Sequence, residues 1–172
     1  MPRRELNIEV EPVCFSVWRK TWSKRSARVT LVVDFGDRFV IVVVPRSGLW
    51  FLPGGGVEHS ESIEEATKRE AVEELGLEVN IGQIIDTFNV TLVSRETGEH
   101  LKIPPFVVIH TTCAGGHLRR EYAPNRKVFL VRKDECDSLL RDFEVSEEYG
   151  WMRPYFYVSR EAIRDFLRLR LH

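Results

Sequence analysis

The stretch that decides the reading of this chain is residues 55–77, GGVEHSESIEEATKREAVEELGL. Ser62 with Glu65 three residues later forms a capping box, so a helix is expected to start there. Ile63, Ala66, Ala71 and Leu75 supply its apolar contacts, and Gly76 is placed to end it as a left-handed cap. At about 100° per residue, Glu73 falls near −60° and Glu74 near +40° from Glu70. Three carboxylates therefore share one face, and like charges at this spacing repel. A solvated surface tolerates that cost. A hard divalent cation, which prefers oxygen ligands, removes it. Gly54, Gly55 and Gly56 stand just before the helix, where the backbone can approach a ligand closely. Free N–H groups at a helix N-terminus favour anions. A carboxylate face beside such a loop points to a diphosphate bridged by divalent cations.

Outward from this stretch the pattern alternates strands and helices. Val29–Phe35 and Phe39–Val44 flank Gly36-Asp37-Arg38, a hairpin signal, and both runs are apolar enough to be buried on both faces. Ile81–Val93, Phe106–Thr112, Lys127–Val131 and Pro154–Val158 read as further strands. Asp134–Phe143 is weakly helical, and Ser159 is read as the cap of a final amphipathic helix through Leu171. In the first 27 residues, taken as an extension, the alternation of Val13, Phe15 and Val17 reads as one strand. A lone strand at an exposed sheet edge invites a second chain, so a homodimer is expected. The rest, 28–172, is expected to be one α/β (α+β) domain with a mixed sheet packed by helices.

Composition sets bounds on function. The 172 residues carry a net charge of −1, so no global positive field recruits nucleic acid. The longest apolar run, Phe39 to Val44, is far short of the roughly 20 residues of a membrane span. The N-terminus has no apolar stretch of the signal-peptide type. Cys14, Cys113 and Cys136 stand far apart, which suggests neither a disulfide framework nor a thiolate zinc site and fits a reducing cytoplasm.

The stretch resembles the Nudix box, Gly-x5-Glu-x7-Arg-Glu-aliphatic-x-Glu-Glu-x-Gly-aliphatic. Gly55, Glu61, Arg69, Glu70, Ala71, Glu73, Glu74, Gly76 and Leu77 fill it without a mismatch. The preceding Trp50-Phe51-Leu52-Pro53-Gly54-Gly55 looks like the loop that leads into such a box. The resemblance implies a Nudix α/β/α sandwich and a hydrolase that cleaves a nucleoside diphosphate linked to another moiety X, using Mg²⁺ or Mn²⁺. It implies Glu70, Glu73 and Glu74 as metal ligands with the Gly55 carbonyl, Arg69 as the residue that orients a box glutamate, and Glu61 as a structural or outer contact. One of the glutamates, or one on a later loop, would deprotonate the attacking water. Glu144, Glu147 and Glu148, in an acidic turn before Trp151 and ahead of the strand expected at Pro154–Val158, are candidates for that loop, with Glu147 or Glu148 favoured.

Other candidates are weaker in the sequence. Arg46, His59, Arg119 and Arg120 are candidate phosphate contacts. Trp50, Phe51, Tyr122 and Trp151 are candidates for stacking on a base, against the ordinary fate of such side chains in a core. His110 and His117 lack partners at metal-ligand spacing. No segment like SQPWPFPxS follows the box, which argues against an NADH pyrophosphatase, and the substrate class stays at "a nucleotide". Two alternatives share the fold: a non-catalytic nucleotide sensor or interaction module, which usually lacks box glutamates, and a prenyl diphosphate isomerase, which needs a cysteine and histidines with no clear place here.

Overall fold

The computed structural model describes residues 3–21, 25–141, 145 and 147–169. In chain order these form β1 (Arg3–Val10), α1 (Pro12–Thr21), β2 (Arg28–Asp34), β3 (Arg38–Val43), β4 (Trp50–Phe51), β5 (Gly54–Gly56) and α2 (Ile63–Glu70). A π-helical turn, Ala71–Leu75, continues α2. Then come β6 (Leu77–Ser94), β7 (His100–Lys102), β8 (Phe106–Gly116), β9 (Glu121–Ala123), β10 (Arg126–Arg132), three 3-10 turns (Lys133–Glu135, Asp137–Leu140, Glu147–Met152) and α3 (Arg153–Leu169). The strands make one mixed ten-stranded sheet in the order β1-β6-β8-β2-β3-β10-β9, with β4 on β3, β5 on β2 and β7 on β6.

Burial explains the order. Every residue of β2 is buried, as a run apolar on both faces requires. Gly36, at a φ of 90°, makes the turn into β3 that an L side chain resists. One face of the sheet packs α2 and its π-helical turn against Val29, Leu31, Val33, Val40 and Ile109. The other face packs α1 and α3 around Phe39, Ile41, Phe88, Phe106, Phe156 and Phe166. The architecture is therefore the expected α/β sandwich with a mixed sheet.

One feature of the sheet positions the site. β2 and β3 pair only at Asp34↔Phe39 and then part. Beyond that point β2 pairs with β5, and β3 pairs with β4. The parting strands carry Arg28 and the glycine stretch to the end of the sheet where α2 begins. Leu31 N–H donates to the Pro53 carbonyl at 2.9 Å and fixes the crossing segment.

Two expected strands are helices. Val13–Val17 lies inside α1, whose buried side chains are Cys14, Phe15 and Trp18, the spacing of a helix, while Val13 is exposed. The alternation Val-Cys-Phe-Ser-Val was too short to separate the two periods, and burial of Trp18, with its indole N–H on the Trp151 carbonyl at 2.7 Å, decides for the helix. The strand of the N-terminal region is β1 instead. Likewise Pro154–Val158 opens α3. Aromatic and β-branched residues favour a strand there locally. Phe156, Ser159, Ile163 and Phe166, however, are buried at spacings of three and four, and Pro154 suits a first helical turn. Ser159 is thus not a cap. It sits inside α3, where its Oγ accepts the Leu52 N–H at 2.8 Å.

The weakly helical reading of Asp134–Phe143 resolves into 3-10 turns over the part that is described. Phe143, Glu144 and the expected end of the last helix at Leu171 lie outside the described residues. All three cysteines are free, Cys14 and Cys136 buried. Among the described residues no helix is long and apolar enough to cross a membrane.

Candidate active site

The site is built where β5 passes under α2. Ser62 Oγ accepts the Glu65 N–H at 3.0 Å, and the Glu65 carboxylate accepts the Ser62 N–H at 2.9 Å, so the capping box fixes the start of α2 as expected. The far end departs from the ideal geometry. The Gly76 N–H reaches back to the Ala71 and Val72 carbonyls, and Gly76 adopts a φ of 70°. The turn between is a π-turn, a rare form found mostly at functional sites. Glu74, on this turn, lies close enough to Glu70 for the two carboxyl groups to act on each other.

The glycines serve close approach. A Cβ at position 55 would collide with both carboxylate oxygens of Glu70, and one at position 54 would collide with the Val29 carbonyl. Their backbone is not a free loop, because Gly54–Gly56 is a strand paired with Arg28–Thr30. The Gly54 N–H donates to Glu74 Oε2 at 3.2 Å, and the N-terminus of α2 is occupied by its own cap. The expected nest of free N–H groups is therefore engaged within the protein.

Arg69 gathers the rest. Its Nε and Nη2 donate to the two oxygens of Glu61 at 2.7 and 2.9 Å. Nη2 also donates to the Gly56 carbonyl at 2.9 Å, and Nη1 to Glu70 at 2.7 Å and Glu73 at 3.1 Å. These bonds draw the Glu61 carboxyl down to about 2 and hold the Arg69 guanidinium above its ordinary value. Glu70 is 8% exposed, whereas the Glu73 side chain is 58% exposed. Burial pushes the Glu74 carboxyl well above the usual carboxylate range; Arg28 opposes the shift and the Glu70 charge adds to it.

Behind Glu74 lies a set of residues of which the sequence singled out only Tyr122, as a candidate for stacking on a base. Arg28 donates from Nη2 to the Gly54 carbonyl at 3.3 Å and stacks 4.1 Å over the Tyr155 ring. Tyr122 and Tyr155 both feel the Glu74 charge, which with burial raises their phenols. Arg126 contacts the Met152 sulfur at 3.8 Å. Arg28 itself showed in the sequence only as an arginine opening a mostly apolar strand.

The remaining candidates separate by burial. Trp50 is 3% exposed, donates its indole N–H to the Leu139 carbonyl and meets Phe156 edge to face. It is a core side chain, out of reach of a ligand. Phe51, 4% exposed, packs on Tyr155. Arg46 is exposed at a φ of 71° in the turn between β3 and β4. His59, His117 and Arg120 are exposed. His110 is buried with its Nε2 2.9 Å from Asp34, which also takes Lys133 at 2.9 Å.

Arg119 closes the π-turn from outside, through its N–H on the Leu75 carbonyl and its Nη1 on the Glu73 carbonyl at 3.0 Å. Glu148 is exposed on the turn Glu147–Met152, which is not a strand, and among the described residues no contact ties it to the box carboxylates. Glu144 lies outside the described residues.

A divalent cation fits this arrangement. The carboxyl groups of Glu70, buried above Gly55, and of half-buried Glu74, bonded to the Gly54 N–H, lie close together, and their mutual repulsion is what a cation relieves. Glu73 completes an oxygen set if it turns from Arg69. Among the described residues no three acidic, histidine or cysteine side chains are already gathered around one point, because Arg69 holds two of the carboxylates.

The comparisons agree with this geometry. A family model, the NUDIX domain, matches residues 23–154. The nucleoside triphosphatase NudI of Escherichia coli O81 (strain ED1a) is 32% identical over 130 residues, covering 72% of this chain and 77% of that protein. The protein of the same name from Shigella flexneri serotype 5b matches to the same extent. Among solved structures, a NUDIX hydrolase from Nitrosomonas europaea superposes with a TM-score of 0.58 at 17% identity, over 87% of this chain and 93% of the other. A MutT NUDIX hydrolase from Burkholderia pseudomallei does so with a TM-score of 0.53 at 20% identity, over 81% and 96%. The filled box, the sandwich around it and the family match over most of the chain make this protein a member of the Nudix hydrolase family.

Proposed function

We propose that the protein is a pyrophosphohydrolase of nucleotides that works with Mg²⁺ or Mn²⁺, and that nucleoside triphosphates are its first substrates to test. The observation that supports this best is the Glu70–Glu74 pair over Gly55, held ready by Arg69 and the π-turn. Glu70, Glu73, Glu74 and the Gly55 carbonyl would hold the cation. A bound divalent cation lowers the pKa of a water and neutralises charge on phosphate oxygens.

The protein's own residues do the rest. Arg69 sets the direction of Glu70, and Glu61 keeps Arg69 charged and in place by two parallel bonds, the geometry arginine makes best with a carboxylate. Arg28 supplies a fixed positive charge behind Glu74, which favours the ionised form that chemistry at neutral pH requires. Gly54 and Gly56 are held through their carbonyls by Arg28 and Arg69, so that the strand beneath the carboxylates is fixed on both sides. The exposed Glu148 is our candidate for the base that takes a proton from water, since a turn can bring its carboxylate within reach. The nucleoside triphosphate reading takes further support from the NudI relatives.

Release of phosphate or pyrophosphate from a panel of nucleotides tests the proposal. The panel holds nucleoside triphosphates, ADP-ribose, dinucleoside polyphosphates and nucleotide sugars. Hydrolysis that needs Mg²⁺ or Mn²⁺ and is fastest on triphosphates is expected. Nucleotide binding by calorimetry with no turnover on any member would favour a sensor instead.

A further inference from the structure

β1 ends the sheet. On one side it pairs in parallel with β6, from Arg3↔Thr87 to Val10↔Ser94. On its outer side no strand pairs with it among the described residues. Every second residue of such a strand turns its N–H and C=O outward, an open template for another chain. Its side chains alternate cleanly. Arg3, Glu5, Asn7 and Glu9 are exposed, while Arg4, Leu6, Ile8 and Val10 turn toward the interior. A groove of about 310 Å³ runs along the strand, lined by Leu6, Ile8, Glu9, Arg95, Tyr157 and Arg160.

Charges on an edge strand usually deter pairing. Here they select one partner. In an antiparallel pair of identical strands, opposed residues share a face and share their hydrogen-bonding direction, so only registers that oppose odd with odd numbers are bonded. With Leu6 opposite Leu6, the register sets Arg3 against Glu9 twice and Glu5 against Asn7 twice, and it opposes everything from Arg3 to Glu9. Shift by one step toward the N-terminus and Glu5 meets Glu5. Shift one step the other way and Glu5 meets Glu9 twice. Like charges directly opposite are destabilising, whereas opposite charges and amide–carboxylate pairs are favourable. Self-complementarity about a two-fold axis is what an isologous dimer interface requires.

We infer that the outer edge of β1 is a self-association surface, and that two copies of this chain join there antiparallel about Leu6 into one continuous sheet. Leu6 of each copy enters the groove beside the other's strand, and the ion pairs lie on the exposed face. Helix α1 takes no part. The strand lies on the opposite side of β6 and β8 from the split that carries the box, so both sites of the dimer stay open.

A contact of this length stands at the small end of specific interfaces, so mass is measured by sedimentation from about 1 to 500 µM. The wild type is expected to rise with concentration toward twice the 20.0 kDa chain mass. Arg3→Glu sets Glu against Glu9, and Glu9→Arg sets Arg against Arg3, so each variant alone is expected to dissociate at least tenfold more readily. Mixed in equal amounts, the two restore both ion pairs, and the mixture is expected to associate as the wild type does. Both positions are exposed, and circular dichroism checks that the folds are intact. A wild type that stays at the single-chain mass throughout overturns the proposal. So does a wild-type dimer that neither reversal weakens, or a mixture that associates no better than its parts. None of these outcomes depends on catalytic activity.

Discussion

Two arginines organise carboxylates in this protein, and they do it differently. Arg153, 5% exposed at the start of α3, takes one carboxylate, Glu11, at 2.6 and 3.1 Å, and one carbonyl, that of Val145 at 2.9 Å. Arg95 also reaches Glu11 at 3.4 Å, so acid is not in surplus there, and the Arg153–Glu11 pair joins the segment before α1 to the last helix. Arg69 takes three carboxylates, Glu61, Glu70 and Glu73, with a fourth, Glu74, pressed against Glu70. A matched pair locks elements together. A surplus of acid at one point costs stability, because buried like charges repel, and it is kept where chemistry needs it.

The largest expected effect tests the surplus. Glu70→Gln and Glu74→Gln should each lower turnover by about 100-fold or more, since each removes charge from the face proposed to hold the cation and stabilise the transition state. The melting temperature should hold or rise, because repulsion in the free protein is relieved. Turnover of both variants within threefold of the wild type would break the contrast. Glu73→Gln sharpens it: an equal loss says that Glu73 leaves Arg69 in the working state, and a small one says that it stays.

Next comes the matched pair. Glu11→Gln leaves Arg153 charged and nearly buried without its partner, and removing one member of such a pair should cost about 2–3 kcal/mol in denaturant unfolding. The rate per folded molecule should not change. A variant as stable as the wild type would show that the pair locks nothing.

Smaller effects follow at the edge of the site. Arg119→Ala removes the bond to the Glu73 carbonyl that closes the π-turn, and a loss of about threefold to tenfold in turnover is expected from a slight displacement of the carboxylates. Glu61 gives a pH signature. Its carboxyl is drawn down from 4.5 to about 2 by Arg69, so the stability it contributes is fully present above about pH 4.5 and is lost as pH falls through 2. Acid titration of unfolding stability should therefore be flatter between pH 5 and 2 in Glu61→Gln. Parallel curves would mean that Arg69 is held without it.

How much of this was legible in the sequence follows from which signals are local. The helix from Ser62 to Gly76 was readable because its cap, its periodicity and its glycine stop all lie within one stretch. The hairpin around Gly36 was readable for the same reason. The segments at 13–17 and 154–158 were misread because five residues cannot distinguish alternation from a helical face. What settles them is distant: Trp18 bonded to Trp151, and Phe156 packed on Trp50. The box glutamates were visible as a pattern, but the π-turn that carries Glu74 was not, since it is bonded by Arg119 from a segment 46 residues beyond Glu73. Arg28 and Tyr155 were hidden because they reach the site from separate elements, β2 and α3. Trp50 was misleading because an aromatic residue beside a glycine loop gives no sign of which way it faces.

The central claim is that the surplus carboxylates hold a divalent cation. Titration of Mn²⁺ into the protein, followed by electron paramagnetic resonance, tests it without any substrate. The account predicts binding by the wild type and by Glu11→Gln, and binding weakened at least tenfold in Glu70→Gln and Glu74→Gln. Binding unchanged in both box variants, or none in the wild type at millimolar Mn²⁺, would contradict it.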